Sequence, residues 1–420
     1  MAILPGTGVR VMSNTTPPSV VPFSEIANKA FLTRGYGPTD RTDPYWTTVW
    51  PNSNGGPVIN WHSLHSEHAM ADAGLQVPIR HGRRRHSESE AIALLNNRRT
   101  RLITLGTVNL WRTISTEQLV AMSGRPGIGS ARSEEIGILF DAGLLQRGRF
   151  SYNKRSLNQA PEIFRPNTQA YKVDLRSSLS YGDWLGTTLG GQPIKGHQYD
   201  RHNILTTELS LRAAEMCPLR SVLGEAVATW PRLFGPELHP NPHRSADAVF
   251  VREDGLKIAV ELTATVTPAT VKKIEQLAEL LARDKSKSLV VLFVVAAHPK
   301  DGRMGDVTGR LRQAIKKSSH LSMSRILAEV ENRMLVANWE SWFPGPGLVS
   351  RDFIPLSAQR YSSVDNEWSS TWLLDPFDTT FAGAYSPESE ETSTRLNDVF
   401  GAPWWMRTGP GADFDAPLLE

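Results

Sequence analysis

The run Leu289–Ala297 (Leu-Val-Val-Leu-Phe-Val-Val-Ala-Ala) contains no polar residue. It falls far short of the roughly 20 apolar residues that cross a bilayer. It is rich in β-branched residues and flanked by helical patterns. Such a run is a strand buried on both faces, which requires a sheet with helices packed over it. The chain is therefore expected to be α/β, with this strand spanning Ser288–Ala296. No other stretch is long and apolar enough to span a membrane, and Met1–Asn14 lacks the basic-then-apolar order of a secretory leader. A cytoplasmic protein without a membrane partner is expected. The single cysteine, Cys217, leaves no intramolecular disulfide and no cysteine-based zinc site.

Around that strand the periodicities alternate. A helix is expected over Arg201–Met216, followed by strands at Ser221–Trp230, Ser245–Val251 and Leu256–Thr265. Pro268 sits in the first turn of a helix over Ala269–Arg283, where a missing N–H costs nothing. Beyond the apolar strand come helices at Val307–Lys317 and Ser322–Val330 and a strand at Met334–Asn338. The order αβββαβ, then αβ, predicts an α/β sandwich in which an antiparallel meander feeds a parallel strand.

Upstream, Ser87 and Glu90 form a capping box ahead of Ala91, Ile92, Leu94 and Leu95, and helical periodicity continues to about Arg112. A short helix over Thr116–Met122 and a glycine-rich turn lead to a third helix, Ser130–Ala142, closed by Gly143. Two short strands, Leu144–Phe150 and Gln169–Leu175, enclose a loop with Lys154, Arg155 and Arg165. This is the layout of a winged helix-turn-helix, which sets its third helix in the major groove and its wing along the backbone. Double-stranded DNA is the expected partner, met by Ser130, Arg132 and Ser133 at the third helix and by Arg147, Arg149, Lys154 and Arg155 on the wing. Charge points the same way. The net charge is only +3, but eight arginines face two glutamates between Arg80 and Arg112, while Asp375–Glu420 carries nine acids and two arginines. A basic front and an acidic tail suit a polyanion partner; a solvated surface explains the charge alone equally well.

The stretch Ala246–Thr265 carries the chemistry. Its turn, Glu253-Asp254-Gly255, offers glycine where positive φ is needed. If Arg252 pairs with Leu256, Asp247 lies directly opposite Glu261, and Thr263 shares the Glu261 face. Two carboxylates on adjacent strands suit Mg²⁺, which could activate a water and stabilise charge at a phosphodiester. Asp247 and Glu261 are the expected metal ligands.

The element order and the residues Ser245-Ala246-Asp247 and Glu261-Leu262-Thr263 resemble the PD-(D/E)XK nuclease fold. That resemblance makes Asp247 and Glu261 the two catalytic acids and Glu208, on the preceding helix, an additional acid. The family's lysine, two residues after the second acid, is here Thr263. A migrated lysine from the following helix, Lys272 or Lys273, could replace it, and Lys272 is taken as the candidate. With a winged helix in front, and His202 and Glu208 on the joining helix, the chain is similar to the replication-relaxation family of plasmids, integrative elements and phages. The resemblance covers about Leu94–Ala297. It implies a restriction-endonuclease-like domain behind a winged helix, acting in replication or mobilisation, as a metal-dependent nickase or as a non-catalytic regulator or initiator.

The expected organisation is an irregular basic arm (residues 1–86), the winged helix (87–176), a linker (177–195), the α/β domain (196–340) and an irregular acidic extension (341–420). The arm's Trp46, Trp50 and Trp61 imply that it packs on the body. The extension's Trp339, Trp342, Trp368, Trp372, Trp404 and Trp405 imply docking on the body or on a protein partner. A homodimer and an assembly protein with Trp-bearing arms remain open. His62, His65 and His68, and the run Gly82–His86, read as surface features.

Overall fold

The computed structural model describes residues 20–26, 37–47, 49, 58–76, 85–130, 133–151, 162–167, 175–190, 199–234, 245–283, 287–297, 306–321, 333–375, 381 and 399–407. The protein is mixed α/β with several sheets. Strand β1 (Val20–Pro22) opens the described chain, followed by β2 (Val58–His62) and helix α1 (Leu64–Asp72). Helices α2 (Glu88–Ala93) and α3 (Arg99–Trp111) lead to β3 (Ile114–Ser115), α4 (Thr116–Ser123) and α5 (Glu134–Asp141). The capping box forms as expected, with Ser87 Oγ accepting from the Glu90 N–H.

Strands β4 (Leu145–Ser151) and β5 (Ile163–Pro166) follow. The strand expected at Gln169–Leu175 lies outside the described residues except for Leu175, which is helical; the strand paired with β4 is Ile163–Pro166, whose Ile163 and Phe164 are fully buried between β3 and β4. The arm completes this sheet: β2 pairs antiparallel with β4, giving the order β2-β4-β5-β3. The arm thus carries regular structure and packs on the body. Trp61 donates to Asp200, Trp46 donates to the Phe343 carbonyl, and the two helical residues Pro44 and Tyr45 are buried. Trp50 lies outside the described residues.

The expected linker is helical in its described part. Helix α6 (Tyr181–Thr188) lies against α3, with Asn109 donating to the Thr187 carbonyl and Arg99 paired to Asp183. Helix α7 (Asp200–Met216) then enters a seven-stranded sheet, ordered β13-β12-β10-β9-β8-β7-β6. Its strands are β6 (Ser221–Gly224), β7 (Ala248–Val251), β8 (Lys257–Thr263), β9 (Leu289–Val295), β10 (Met334–Asn338), β12 (Ser357–Ser362) and β13 (Glu367–Trp372). β6, β7 and β8 are antiparallel neighbours, and β8, β9 and β10 are parallel. The crossovers are α8 (Pro268–Leu281) and α9 (Val307–Leu321). Every residue of β9 is buried, the outcome its unbroken apolar run demands. The helix expected at Ser322–Val330 lies outside the described residues.

The C-terminal extension is not irregular throughout. β11 (Leu348–Ser350) pairs with β1, and the β12–β13 hairpin widens the sheet beyond β10. Trp339 and Trp342 are buried, and Phe400 and Trp404 return to α3 and the end of α4. These tryptophans dock on the protein itself.

The helical unit and the large sheet meet at Gly224, where an added Cβ would lie 2.7 Å from the Leu110 carbonyl oxygen and 3.0 Å from the Trp111 ring. Neither backbone can retreat cheaply in a packed interior. Gly224→Ala is expected to destabilise the fold by about 1–3 kcal/mol, read as a lower urea midpoint with an unchanged slope. An unaltered midpoint would mean that the two units separate easily.

Candidate functional site

The turn after β7 sets the register of the site. Gly255 takes φ +84°, and the Arg252 N–H donates to the Leu256 carbonyl at 2.9 Å. Ala248 therefore lies opposite Val260, which carries Asp247, one residue before β7, to the level of Glu261 on β8. The Asp247 N–H also donates to the Val260 carbonyl at 3.1 Å. The two carboxylates thus sit side by side, as the hairpin arithmetic requires.

Each acid has a cationic neighbour from a helix. His202, on the first turn of α7, places Nε2 2.8 Å from Asp247 Oδ2, and the same oxygen accepts from the Leu262 N–H at 2.7 Å. Lys273, on α8, places its ammonium on Glu261 Oε2. Burial disfavours the Asp247 anion, but His202 and Lys273 outweigh it and hold its carboxyl down to about 2. Burial dominates at Glu261, pushing it up to about 8 against the pull of Lys273, with Asp247 adding to the rise. Desolvation opposes the charge on His202 and on Lys273, yet the paired acids raise both.

These groups lie in a cleft of about 1030 Å³. Glu225, just past β6, also lines it. Its carboxyl is raised by burial, against a partial offset from Arg112, whose guanidinium lies 3.8 Å away at the end of α3. Among the described residues no group of three His, Cys, Asp or Glu side chains gathers at ligating range. The pair Asp247 and Glu261 nonetheless suits a hard divalent cation, which commonly takes one or two protein carboxylates and completes its shell with water and phosphate. Glu261 Oε1 is buried and has no hydrogen-bond partner among the described residues, so one oxygen is available for such an ion.

The other expected residues are distributed as follows. Thr263 lines the cleft from β8. Lys272 also lines it, but Lys273 is the lysine that reaches Glu261. Glu208 is not a lining residue of the cleft. It is fully buried with Arg41, Arg212 and Gln118, six residues beyond His202 on α7, and is held below its usual range because the two guanidiniums outweigh burial. Ser133 Oγ accepts from the Ile136 N–H as the cap of α5. Arg147 is buried against Glu162, and Arg149, more exposed, faces the same acid at 3.7 Å. Ser130 is exposed at the start of this turn, and Arg132, Lys154 and Arg155 lie outside the described residues. Arg165, expected in the loop, lies on β5 and pairs with Asp200. From Ile136 to Asp141 every residue of α5 is buried, and its first turn carries Glu134 and Glu135. The third helix therefore offers no basic face among its described residues.

His202 and Lys273 acquire their roles only from the tertiary arrangement. Helical phase could have separated the two lysines: Lys273 falls on the same side as Leu277 and Leu280, whereas Lys272 shares its side with Glu275 and Glu279. Glu225 has no comparable sequence signal. No family model, curated protein or solved structure matches this chain. Among the described residues no helix is long and apolar enough to cross a membrane.

Proposed function

We propose that the chain is a DNA-acting protein of a plasmid, integrative element or phage, serving replication or mobilisation. Its large sheet is read as a PD-(D/E)XK nuclease-like domain and its helical unit as a winged helix. The observation that carries this reading is the contact between Lys273 and Glu261 beside Asp247: it supplies, from α8, the lysine that Thr263 replaces on β8. In this reading Asp247 and Glu261 would hold Mg²⁺. The bound ion would neutralise charge at a phosphodiester and make a water more acidic. Lys273 offers an ammonium to phosphate oxygens, and its neighbour Glu261 accepts a proton near neutral pH. His202 and the Leu262 N–H fix the Asp247 carboxylate in one orientation. Glu208 belongs to the scaffold that anchors α7.

A non-catalytic DNA-binding regulator is the second reading, favoured because both acids already have cationic partners within the protein. Cleavage separates the two. With Mg²⁺ or Mn²⁺, wild-type protein is expected to convert supercoiled plasmid into open circles, and Asp247→Ala and Glu261→Ala to abolish the conversion. Plasmid that is bound and left intact by wild type would overturn the enzymatic reading in favour of the regulator.

A further inference from the structure

The acid and lysine pairs account for only part of the cleft. Trp230, Leu277 and Phe293 line it too but are themselves buried, so its accessible contacts lie toward the rim. At its edge stands Tyr199, the residue before α7, with 63% of its surface exposed. The Tyr199 carbonyl accepts from the Asn203 N–H at 2.8 Å, which ties the residue to the helix. Its ring meets His202 edge-on, with centroids 6.3 Å apart, and His202 in turn holds Asp247. An exposed aromatic face is thus fixed two contacts away from the paired acids. Lys272, Thr265 and Thr267 are exposed lining residues of the same cleft. Lys272 and Thr265 supply an ammonium and a hydroxyl suited to a phosphate backbone, while the Thr267 hydroxyl caps α8 by accepting from the Thr270 N–H.

A double helix hides the faces of its bases in the stack, so an aromatic platform finds a base only where strands are open.

We infer that the cleft takes a single-stranded or locally opened nucleic-acid strand, one base stacking on Tyr199 and its phosphate turned toward Lys273. The inference deepens the nuclease reading and depends on it only for the fate of that phosphate. Tyr199 acts on binding, whereas Asp247 and Glu261 act on cleavage.

The test is fluorescence anisotropy with a labelled 12-nucleotide oligothymidylate and a mixed-sequence duplex of equal length, in EDTA so that neither is cut. The single strand is expected to bind more tightly. Tyr199→Ala is expected to weaken that binding by about 5- to 150-fold, the range spanned by stacking one base on an aromatic ring. Tyr199→Phe should retain it, and duplex binding should not respond to either change. Equal affinity for both probes, or a Tyr199→Ala variant that binds the single strand like wild type, would overturn the inference. Tyr199-dependent binding by a protein that never nicks plasmid would uphold it and reject the nuclease. Nicking that is independent of Tyr199 at equal single-strand affinity would do the reverse.

Discussion

Arg41→Met is expected to cost about 3–5 kcal/mol of stability, the toll of removing one partner from a buried ion-pair network. Arg41 reaches from the arm onto α7, where its Nη1 and Nη2 lie 2.6 and 2.8 Å from the two Glu215 oxygens. Nη2 also lies 3.2 Å from Glu208 Oε1, which Arg212 approaches at 3.1 Å. Arg212 in turn pairs with Asp43 at 2.8 Å and lies over the Phe23 and Phe343 rings. Without the Arg41 guanidinium, two buried carboxylates remain on one helix with Arg212 as their shared cation. Burial already pushes Glu215 up, against the pull of Arg41. The loss should appear in urea denaturation. Two further variants make the result specific: Arg41→Lys should recover little, because a point charge cannot serve both acids through a planar fork. Adding Glu215→Gln to Arg41→Met should recover part of the loss. An Arg41→Met protein with the wild-type midpoint would show that the arm does not brace α7.

Lys273→Met is expected to reduce plasmid nicking by about 10²-fold or more, the scale of a lost proton-transfer or charge-stabilising group. The pH profile carries more information than the rate. Glu261 must be ionised to hold a divalent cation, and burial places its carboxyl at about 8 while Lys273 pulls it down. In wild type, divalent-ion affinity should therefore fall as pH drops below about 8, because protons compete for the carboxylate. Removing the ammonium removes the downward pull, so the midpoint must move to higher pH. An added metal titration should show the same shift, independently of turnover. A Lys273→Met profile superimposable on that of wild type, apart from its height, would mean that this lysine is remote from the ionising group.

The large sheet was legible from β6 to β10 because the signals there are local, whereas β12 and β13 fall in the stretch expected to be irregular. The apolar run of β9, the glycine turn before β8 and the proline opening α8 each fix a conformation within a few residues. The pairing of Asp247 with Glu261 follows by counting outward from that turn. Other features depend on distant partners. Strand β2 has little pattern of its own because β4 supplies its order. Gln118 completes the capping box of α4, yet its side chain also donates to the Ile204 carbonyl and to Glu208, nearly ninety residues on. The basic residues of the β4–β5 hairpin look like phosphate contacts in sequence. In the fold, Arg147 and Arg165 are absorbed by Glu162 and Asp200, acids that composition cannot assign to them.

The pairing of β1 with β11 also has a consequence in time. Val20 meets Ser350, so one strand is synthesised long before the other. At roughly 5–20 residues per second, the first strand waits about 15–65 s for its partner to be made. Arg41 waits only until Glu208 and Glu215 on α7 are made, about half of that interval, and β2 only until β4 is made. The arm can therefore settle on β4 and α7 while most of the sheet is still to be made, and β1 is the strand that must wait for β11. The closing step of folding then joins β11 to a strand made about 330 residues earlier.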